Sequence, residues 1–291
     1  MSDFLRVFNI EPFKTVKIST DALNKTWENI FQNILKLRDE NKILPGNLSY
    51  SMLKLSENPN ISVRDILGEI SILFIAGHET TAHTLSWYFY SMCKYPEIQE
   101  LNREALKLFD FDTHRSLPEV VEATLKESMR KFTVAPSGSL RRVVADEGYV
   151  LTETDLGEKV VLPKGTWIQI PLYALHNSKY NWGPSSKEFD PMRWMNASNK
   201  SNSKGSYTGW GPTDKYLSFA PFSYGPRNCL GLNLALMELK FVIPLLLNSY
   251  KFEFDIPSQM DDESKVLKTH LTLHPDSSFV VKLEKLAPQE S

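Results

Sequence analysis

Phe222-Ser223-Tyr224-Gly225-Pro226-Arg227-Asn228-Cys229-Leu230-Gly231 is the stretch on which the reading of this chain turns. Gly225, Pro226 and Gly231 set a tight loop, and an apolar, proline-poor run directly after it predicts a helix over 232–250. A cysteine just ahead of a helix sits where free backbone N–H groups favour a thiolate. Arg227 adds positive charge beside it. A lone cysteine is usually a small buried apolar residue, but Cys229 lies in an electropositive loop. The residue-level readings are therefore a redox or nucleophilic thiol, or a single metal-binding thiolate. A nucleophile would want a histidine base, and none is adjacent in the sequence. A metal-binding thiolate fits the loop better.

Outward from this loop, composition narrows the class. The chain has 291 residues, enough for one or two domains at about 150 residues each. Apolar residues are 42% and charged residues 23%, an ordinary globular balance that excludes collagen, disordered tails and low-complexity scaffolds. Lys+Arg 33 against Asp+Glu 35 gives a net charge of −2, so there is no basic field to drive nucleic-acid binding. Two cysteines, Cys93 and Cys229, exclude a disulfide-dense scaffold and a zinc site of three or four thiolates. Cys93 reads as packing. The apolar runs Ile72–Ala76 and Phe241–Leu247 fall short of the roughly 20 residues that span a bilayer. Met1–Arg6 carries no signal-peptide pattern. Composition predicts a soluble, intracellular, globular protein.

The periodicity upstream is helical. Leu23, Trp27, Ile30, Ile34 and Leu37 predict an amphipathic helix over 18–40, broken by Leu44-Pro45-Gly46-Asn47. Ser62 is a candidate cap for the next helix, with Asp65 in its first turn. That helix, 63–95, holds no proline and would be about 50 Å long. It is apolar on most sides and is expected to run through a core. Pro96 closes it and opens a helix over Glu97–Phe109. Pro118 opens another over 119–132. From 141 to 175 short runs with period two, such as Lys159–Leu162 and Trp167–Ile170, predict a small antiparallel sheet with a turn at Pro163-Lys164-Gly165. Residues 196–214 read as a polar surface loop. Strands are expected over 250–284, with Leu267–Leu273 and Phe279–Leu283 flanking a turn at Pro275-Asp276-Ser277. The predicted class is mainly α with a small antiparallel β-sheet.

Three further places break the local pattern. Ala76-Gly77-His78-Glu79-Thr80-Thr81 interrupts the apolar helix. Gly77 costs a helix about 1 kcal/mol against alanine, and a buried Glu with two Thr is costly unless satisfied. Threonine hydroxyls can bond the carbonyl one turn back and bend the helix. The stretch is either a functional interruption or a polar stripe facing solvent. Glu127-Ser128-Met129-Arg130 puts Glu127 and Arg130 on one helix face, which alone reads as a solvated ion pair worth a few tenths of a kcal/mol. Phe189-Asp190-Pro191-Met192-Arg193-Trp194 alone reads as a packed loop. Among metal cofactors, haem is the one that takes a single axial cysteine.

Taken together, these stretches resemble the cytochrome P-450 family. Phe222–Gly231 is similar to its haem-binding loop, F-x-x-G-x-R-x-C-x-G, with no departure at the named positions. Glu127-x-x-Arg130 resembles its ExxR helix. Arg193 falls where its third triad member lies, with Met192 and Trp194 in place of the usual Glu and Phe. Ala76–Thr81 resembles the oxygen-activation motif of the long central helix. Pro163-Lys164-Gly165 and Ala174-Leu175-His176 stand in the family's order. The resemblance covers the C-terminal part of a family member, so the fold it implies is a cytochrome P-450 fold with the N-terminal part missing.

The resemblance implies heme b (iron protoporphyrin IX), with Cys229 as the axial thiolate and sole protein ligand to iron. It places Phe222 against the thiolate and the haem face, Gly225 in the loop's turn, and Arg227, Arg142 and His176 towards the haem propionates. Ala76 and Gly77 would leave room above the iron. Glu79 and Thr80 resemble the acid–alcohol pair that supplies protons to dioxygen. Glu127, Arg130 and Arg193 would form a buried structural network. Val134–Ser139 and the loop at Pro275 resemble substrate-lining segments. The activity implied is a monooxygenase acting on an apolar small molecule with O2, and with electrons from an NADPH-cytochrome reductase or another donor. Relatives that rearrange peroxides typically depart from the Glu/Asp–Thr pair, which is intact here. The implied location of a full-length protein is the cytosolic face of the endoplasmic reticulum membrane, held by an N-terminal anchor that this chain lacks. Two competing expectations are a truncated, non-catalytic haem-binding or regulatory fragment, and a thiol redox protein using Cys229.

Overall fold

The computed structural model describes residues 13–40, 42–110, 113, 116–152, 157, 159–195, 218–255, 266–269, 271–276 and 280–287. The polar stretch read over 196–214 lies outside the described residues, as do 277–279 of the predicted C-terminal turn and strand. The chain divides into two compact units, with the boundary between His78 and Glu79.

In the first unit, α1 (Phe13–Asp39) is followed by α2 (Leu48–Ser56), to which the sequence reading assigned no element. The first part of α3 (Val63–Lys94) completes it. Phe31, Met52 and Ile66 form its small core, with Leu35, Ile61 and Ile70 packed around them. The entry into α3 is a reciprocal cap: Ser62 N–H and Oγ–H donate to Asp65 Oδ2 at 2.9 and 2.7 Å, and Asp65 N–H donates to Ser62 Oγ at 3.2 Å. These bonds to Ser62 hold the Asp65 carboxyl below its ordinary range. Burial was expected along all of α3, yet Val63, Ile72, Phe74 and Ile75 are exposed.

In the second unit, the end of α3 meets that expectation. Trp87, Tyr88, Phe89, Tyr90, Met92 and Cys93 are all buried, so this part of the helix is enclosed on every side. The helix stops at Lys94, because Tyr95 precedes proline and takes φ −125°, ψ 76°. Two antiparallel-coupled features lock α4 (Pro96–Leu106) to the C-terminal ribbon: Gln99 Nε2 donates to Phe252 O at 2.9 Å, and Phe252 N–H donates to Gln99 Oε1 at 2.9 Å. α5 (Glu119–Lys131) packs by Val120, Val121, Leu125 and Met129 into the main core with Phe219 and the last helix. A second core joins Trp87, Tyr90, Phe132, Val266 and Leu273. Here the Trp87 and Phe132 rings stack at 4.4 Å, and the Trp87 indole donates to Leu273 O at 3.0 Å.

The β structure differs from a single small sheet. Among the described residues it is four separate two-stranded antiparallel ribbons. β1 (Ser139–Arg142) pairs with β4 (Trp167–Ile170), and β2 (Tyr149–Leu151) with β3 (Val160–Leu162). The strand region ends at Ile170: Pro171 leads into α6 (Leu172–Asn177), followed by α7 (Lys179–Trp182) and α8 (Met192–Met195). After α9 (Leu232–Ser249), β5 (Tyr250–Phe254) pairs with β8 (Val281–Lys285). β6 (Leu267–Thr269) pairs with β7 (Leu273–Pro275), with Leu267 opposite Pro275. Pro275 is therefore a strand residue and not the turn, and the last pair before the reversal is Thr269 with Leu273. A terminal strand position needs no ladder N–H, so proline is tolerated there.

α9 is long and apolar enough to cross a membrane by length and composition, beyond what its interrupted apolar runs suggested. Leu239, Ile243 and Leu247 are nevertheless buried in the main core. The molecule is mainly helical with minor antiparallel β.

Candidate functional site

Among the described residues of the second unit, Glu127 is a heavily satisfied polar group. It and Arg130 are fully buried, so the solvated ion pair is replaced by a buried one. Arg130 Nε and Nη2 donate to Glu127 Oε2 and Oε1 at 2.9 Å each, the bidentate geometry that suits a guanidinium and a carboxylate. Its other N–H groups donate to the carbonyls of His176, Ser186 and Glu188 at 2.8–2.9 Å. Glu127 also accepts from Asp190 N–H at 2.9 Å, Arg193 Nε at 3.1 Å and the Trp194 indole at 2.9 Å. The Trp182 ring lies 5.2 Å from the Arg130 guanidinium and 6.0 Å from that of Arg193. A charge pair this deep is stable only when its remaining donors and acceptors are matched, and here they are.

The sequence reading grouped Glu127, Arg130 and Arg193 but gave Trp194 no part. The available signal was that a tryptophan, unlike a phenylalanine, carries a donor that seeks a partner when buried.

His176 links this hub to the cysteine loop. Its carbonyl accepts from Arg130, and its ring is fully buried. Thr133 Oγ1 donates to Arg130 O at 3.0 Å, so its oxygen accepts from His176 Nδ1–H at 2.9 Å. Nε2 then accepts Ala220 N–H at 2.9 Å. Burial, helped by the Arg130 charge, pushes the imidazole down to about 3. The sequence expectation that His176 meets a propionate is thereby corrected: the ring is neutral and both nitrogens serve the protein. It pins the chain two residues before Phe222.

The loop closes on itself. Cys229 N–H donates to Phe222 O at 2.8 Å, and Asn228 N–H donates to Gly225 O at 3.0 Å. Gly225 takes φ +83°, and Ser223 takes φ +63°, a left-handed conformation that a residue with a Cβ adopts at some cost. Ser223 Oγ lies 3.4 Å from Ser139 Oγ, which ties the loop to β1 and hence to the strand that carries Arg142. Cys229, Arg227 and Arg142 are all exposed, and the Arg142 guanidinium lies 5.7 Å from the Trp167 ring. Phe222 is half-buried against the main core.

The donor set suits an axial group. One exposed free thiol stands beside an arginine, on a loop braced through its backbone. No cluster of three or more His, Cys, Asp or Glu that could hold a metal ion exists among the described residues. Cys93, by contrast, is buried, and burial with the Glu253 charge pushes its thiol up to about 12.

On α3 the helix runs unbroken through Ala76–Thr81. One turn further on, Thr84 Oγ1 donates to Thr80 O at 2.8 Å. Gly77 faces open space. Glu79 Oε1 accepts from Thr272 Oγ1 at 2.7 Å, a partner the sequence reading missed. Leu273 N–H donates to Val134 O at 2.9 Å, which joins the two segments read as substrate-lining.

The second unit is thus a helical body that presents one exposed free thiol on a loop braced by a buried Glu–Arg hub. The sequence profile of the family described as Cytochrome P450 matches residues 1–281, and the chain belongs to that family. Among its curated relatives, Cytochrome P450 72A397 of Kalopanax septemlobus is 31% identical over 250 residues, covering 84% of this chain and 43% of that protein. The 11-oxo-beta-amyrin 30-oxidase of Medicago truncatula is 32% identical, covering 79% of this chain and 40% of the relative. Cytochrome P450 3A14 of Cavia porcellus is 30% identical, covering 88% and 48%. The chain thus spans less than half the length of these relatives.

Proposed function

We propose that this chain is the haem-thiolate part of a monooxygenase that inserts one oxygen atom of O2 into an apolar small molecule. The observation that carries the reading is the Cys229 loop, whose free thiol is exposed while its backbone is fastened through Phe222, Ala220 and His176 to the Glu127–Arg130 hub. Cys229 would hold the haem iron, with Phe222 beside it, Gly225 allowing the turn, and Arg227 and Arg142 offering charge to the propionates. When bound, the haem supplies the dioxygen chemistry, and its thiolate ligand favours O–O cleavage.

The residues of the chain do the rest. Glu79 acts as the proton-holding carboxyl, with the Thr80 hydroxyl one residue on. Thr84 holds the Thr80 carbonyl within the helix, and Thr272 holds the Glu79 carboxylate. Electrons come from an NADPH-dependent reductase or a comparable donor. The location is the cytosolic face of the endoplasmic reticulum membrane. A relative named as an oxidase of 11-oxo-beta-amyrin supports oxidation of an organic substrate.

A second reading is a non-catalytic haem-binding or regulatory fragment of such an enzyme.

Two measurements test these readings. The haem-loaded protein, reduced under CO, should show the strongly red-shifted thiolate band, lose it in Cys229→Ala and keep it in Cys93→Ala. Survival of the band in Cys229→Ala overturns the ligand assignment. Product formed with a reductase and O2 supports the oxygenase; haem binding without turnover supports the fragment.

A further inference from the structure

We propose that His83 and Thr272 are positioning residues that form a directional proton relay to Glu79. This rests on the acid role given to Glu79 above. Thr272 is buried at the β6–β7 reversal, and its Oγ1 lies 2.7 Å from Glu79 Oε1 and 2.9 Å from His83 Nδ1. A carboxylate only accepts, so the single Thr272 hydroxyl proton points to Glu79. The Thr272 oxygen can then only accept from His83, which requires the proton of His83 to sit on Nδ1. The order of donation is fixed as His83 Nδ1–H to Thr272 Oγ1–H to Glu79 Oε1.

The surroundings keep this order. His83 lies one helical turn beyond Glu79, with Nδ1 at 4.0 Å from Oε1. Its ring stacks on His274 at 5.0 Å and 27°. His274 Nδ1 lies 2.9 Å from Pro275 O, a pure acceptor, so His274 also carries its proton on Nδ1. Among the described residues of the hairpin and its exit, Lys268 and Asp276 pair with each other at 3.3 Å.

The step is balanced. From the imidazolium form, the Nδ1 proton passes to Thr272 Oγ1 while the Thr272 proton passes to Glu79 Oε1. Glu79 becomes a neutral acid and His83 a neutral imidazole whose remaining proton is on Nε2; Nδ1 is then reprotonated by a solvent hydronium ion, which leaves as water. After Glu79 has given its proton away, the Thr272 hydroxyl turns back to the carboxylate.

The test reads the tautomer first, without haem or turnover. An unconstrained neutral imidazole favours the Nε2–H form, so 15N NMR of histidine-labelled protein in buffer of about pH 8.5, above the ordinary imidazole pKa of about 6.5, separates the cases. The His83 signal is assigned by its loss in His83→Gln. The relay requires Nδ1–H in the parent and in Thr272→Ser, and a switch to Nε2–H in Thr272→Val. A parent with Nε2–H, or an unchanged tautomer in Thr272→Val, overturns it.

The second reading is the ratio of peroxide released to product formed in the haem-loaded, reductase-coupled protein. That ratio should rise several-fold in Thr272→Val and return towards the parent in Thr272→Ser. A coupled parent with an equally coupled Thr272→Val overturns the relay alone. A parent with no turnover overturns the oxygenase reading and the relay with it, whatever the tautomer.

Discussion

Single side chains carry sharp consequences in this structure. The His176 ring is neutral in the fold and titrates near 3 there because of burial, against about 6.5 when unfolded. A folded value below the unfolded one means that its contribution is complete above about pH 6.5. It is lost as pH falls towards 3, at up to about 1.4 kcal/mol per pH unit. Chemical denaturation at stepped pH should show this acid loss in the parent and a shallower one in His176→Asn; parallel curves would mean that the ring does not hold this environment. Trp194→Phe removes the indole donor to Glu127 Oε2 and should cost about 1.5–3 kcal/mol, the scale of a hydrogen bond to a charged group. An unchanged denaturation midpoint in Trp194→Phe would show that bond to be idle. At Thr80, alanine should leave haem content near the parent's while peroxide release rises at the expense of product, since the hydroxyl has a proton-handling role. Equal coupling in Thr80→Ala and parent would remove that role.

At the scale of elements, what the sequence makes legible depends on how local the chemistry is. The Cys229 loop can be read because its glycines, proline and thiol are consecutive, and its bonds, Cys229 N–H to Phe222 O among them, span few residues. The ends of α3 can be read because Ser62, Asp65 and Pro96 act on adjacent backbone. Spacing put Glu127 and Arg130 on one face of α5, but their burial depended on Asp190, Arg193 and Trp194, more than sixty residues away. Thr272 stands 193 residues from Glu79, and no periodicity links them. The antiparallel β structure is legible, but its division into separate ribbons is not, because strand runs mark strands and not partners. α5 itself yields the clearest energetic prediction. Glu127→Ala strips the partner from a buried guanidinium and should cost about 3–5 kcal/mol, a large share of a typical stability of about 5–15 kcal/mol. Thermal melting and haem retention read it directly. A Glu127→Ala protein that melts and binds haem like its parent would mean that the hub is dispensable.

At the scale of the whole chain, the unusual property is how much apolar surface stays in water. α9 is apolar on two faces. Leu239, Ile243 and Leu247 are buried, whereas Leu234, Met237, Phe241 and Leu245, spaced by three and four residues, are 56%, 67%, 55% and 47% exposed. Ile72, Phe74 and Ile75 add exposed apolar area in the first unit. Contiguous apolar patches beyond a few hundred Å² mark sites of association, and a helical stripe of four large side chains approaches that size. Near neutrality, the net charge of −2 offers little repulsion to oppose contact between copies. The chain of residues 1–291 should therefore self-associate, its elution volume on size exclusion falling as concentration rises. The α9 stripe makes a specific share of this testable. Leu234→Lys together with Phe241→Glu changes only exposed positions, so the melting temperature should hold while association weakens by several-fold in concentration. Were the parent monomeric at every concentration, or the double variant equally associated, the stripe would not be the adhesive surface, and association would have to be sought on the exposed face of α3.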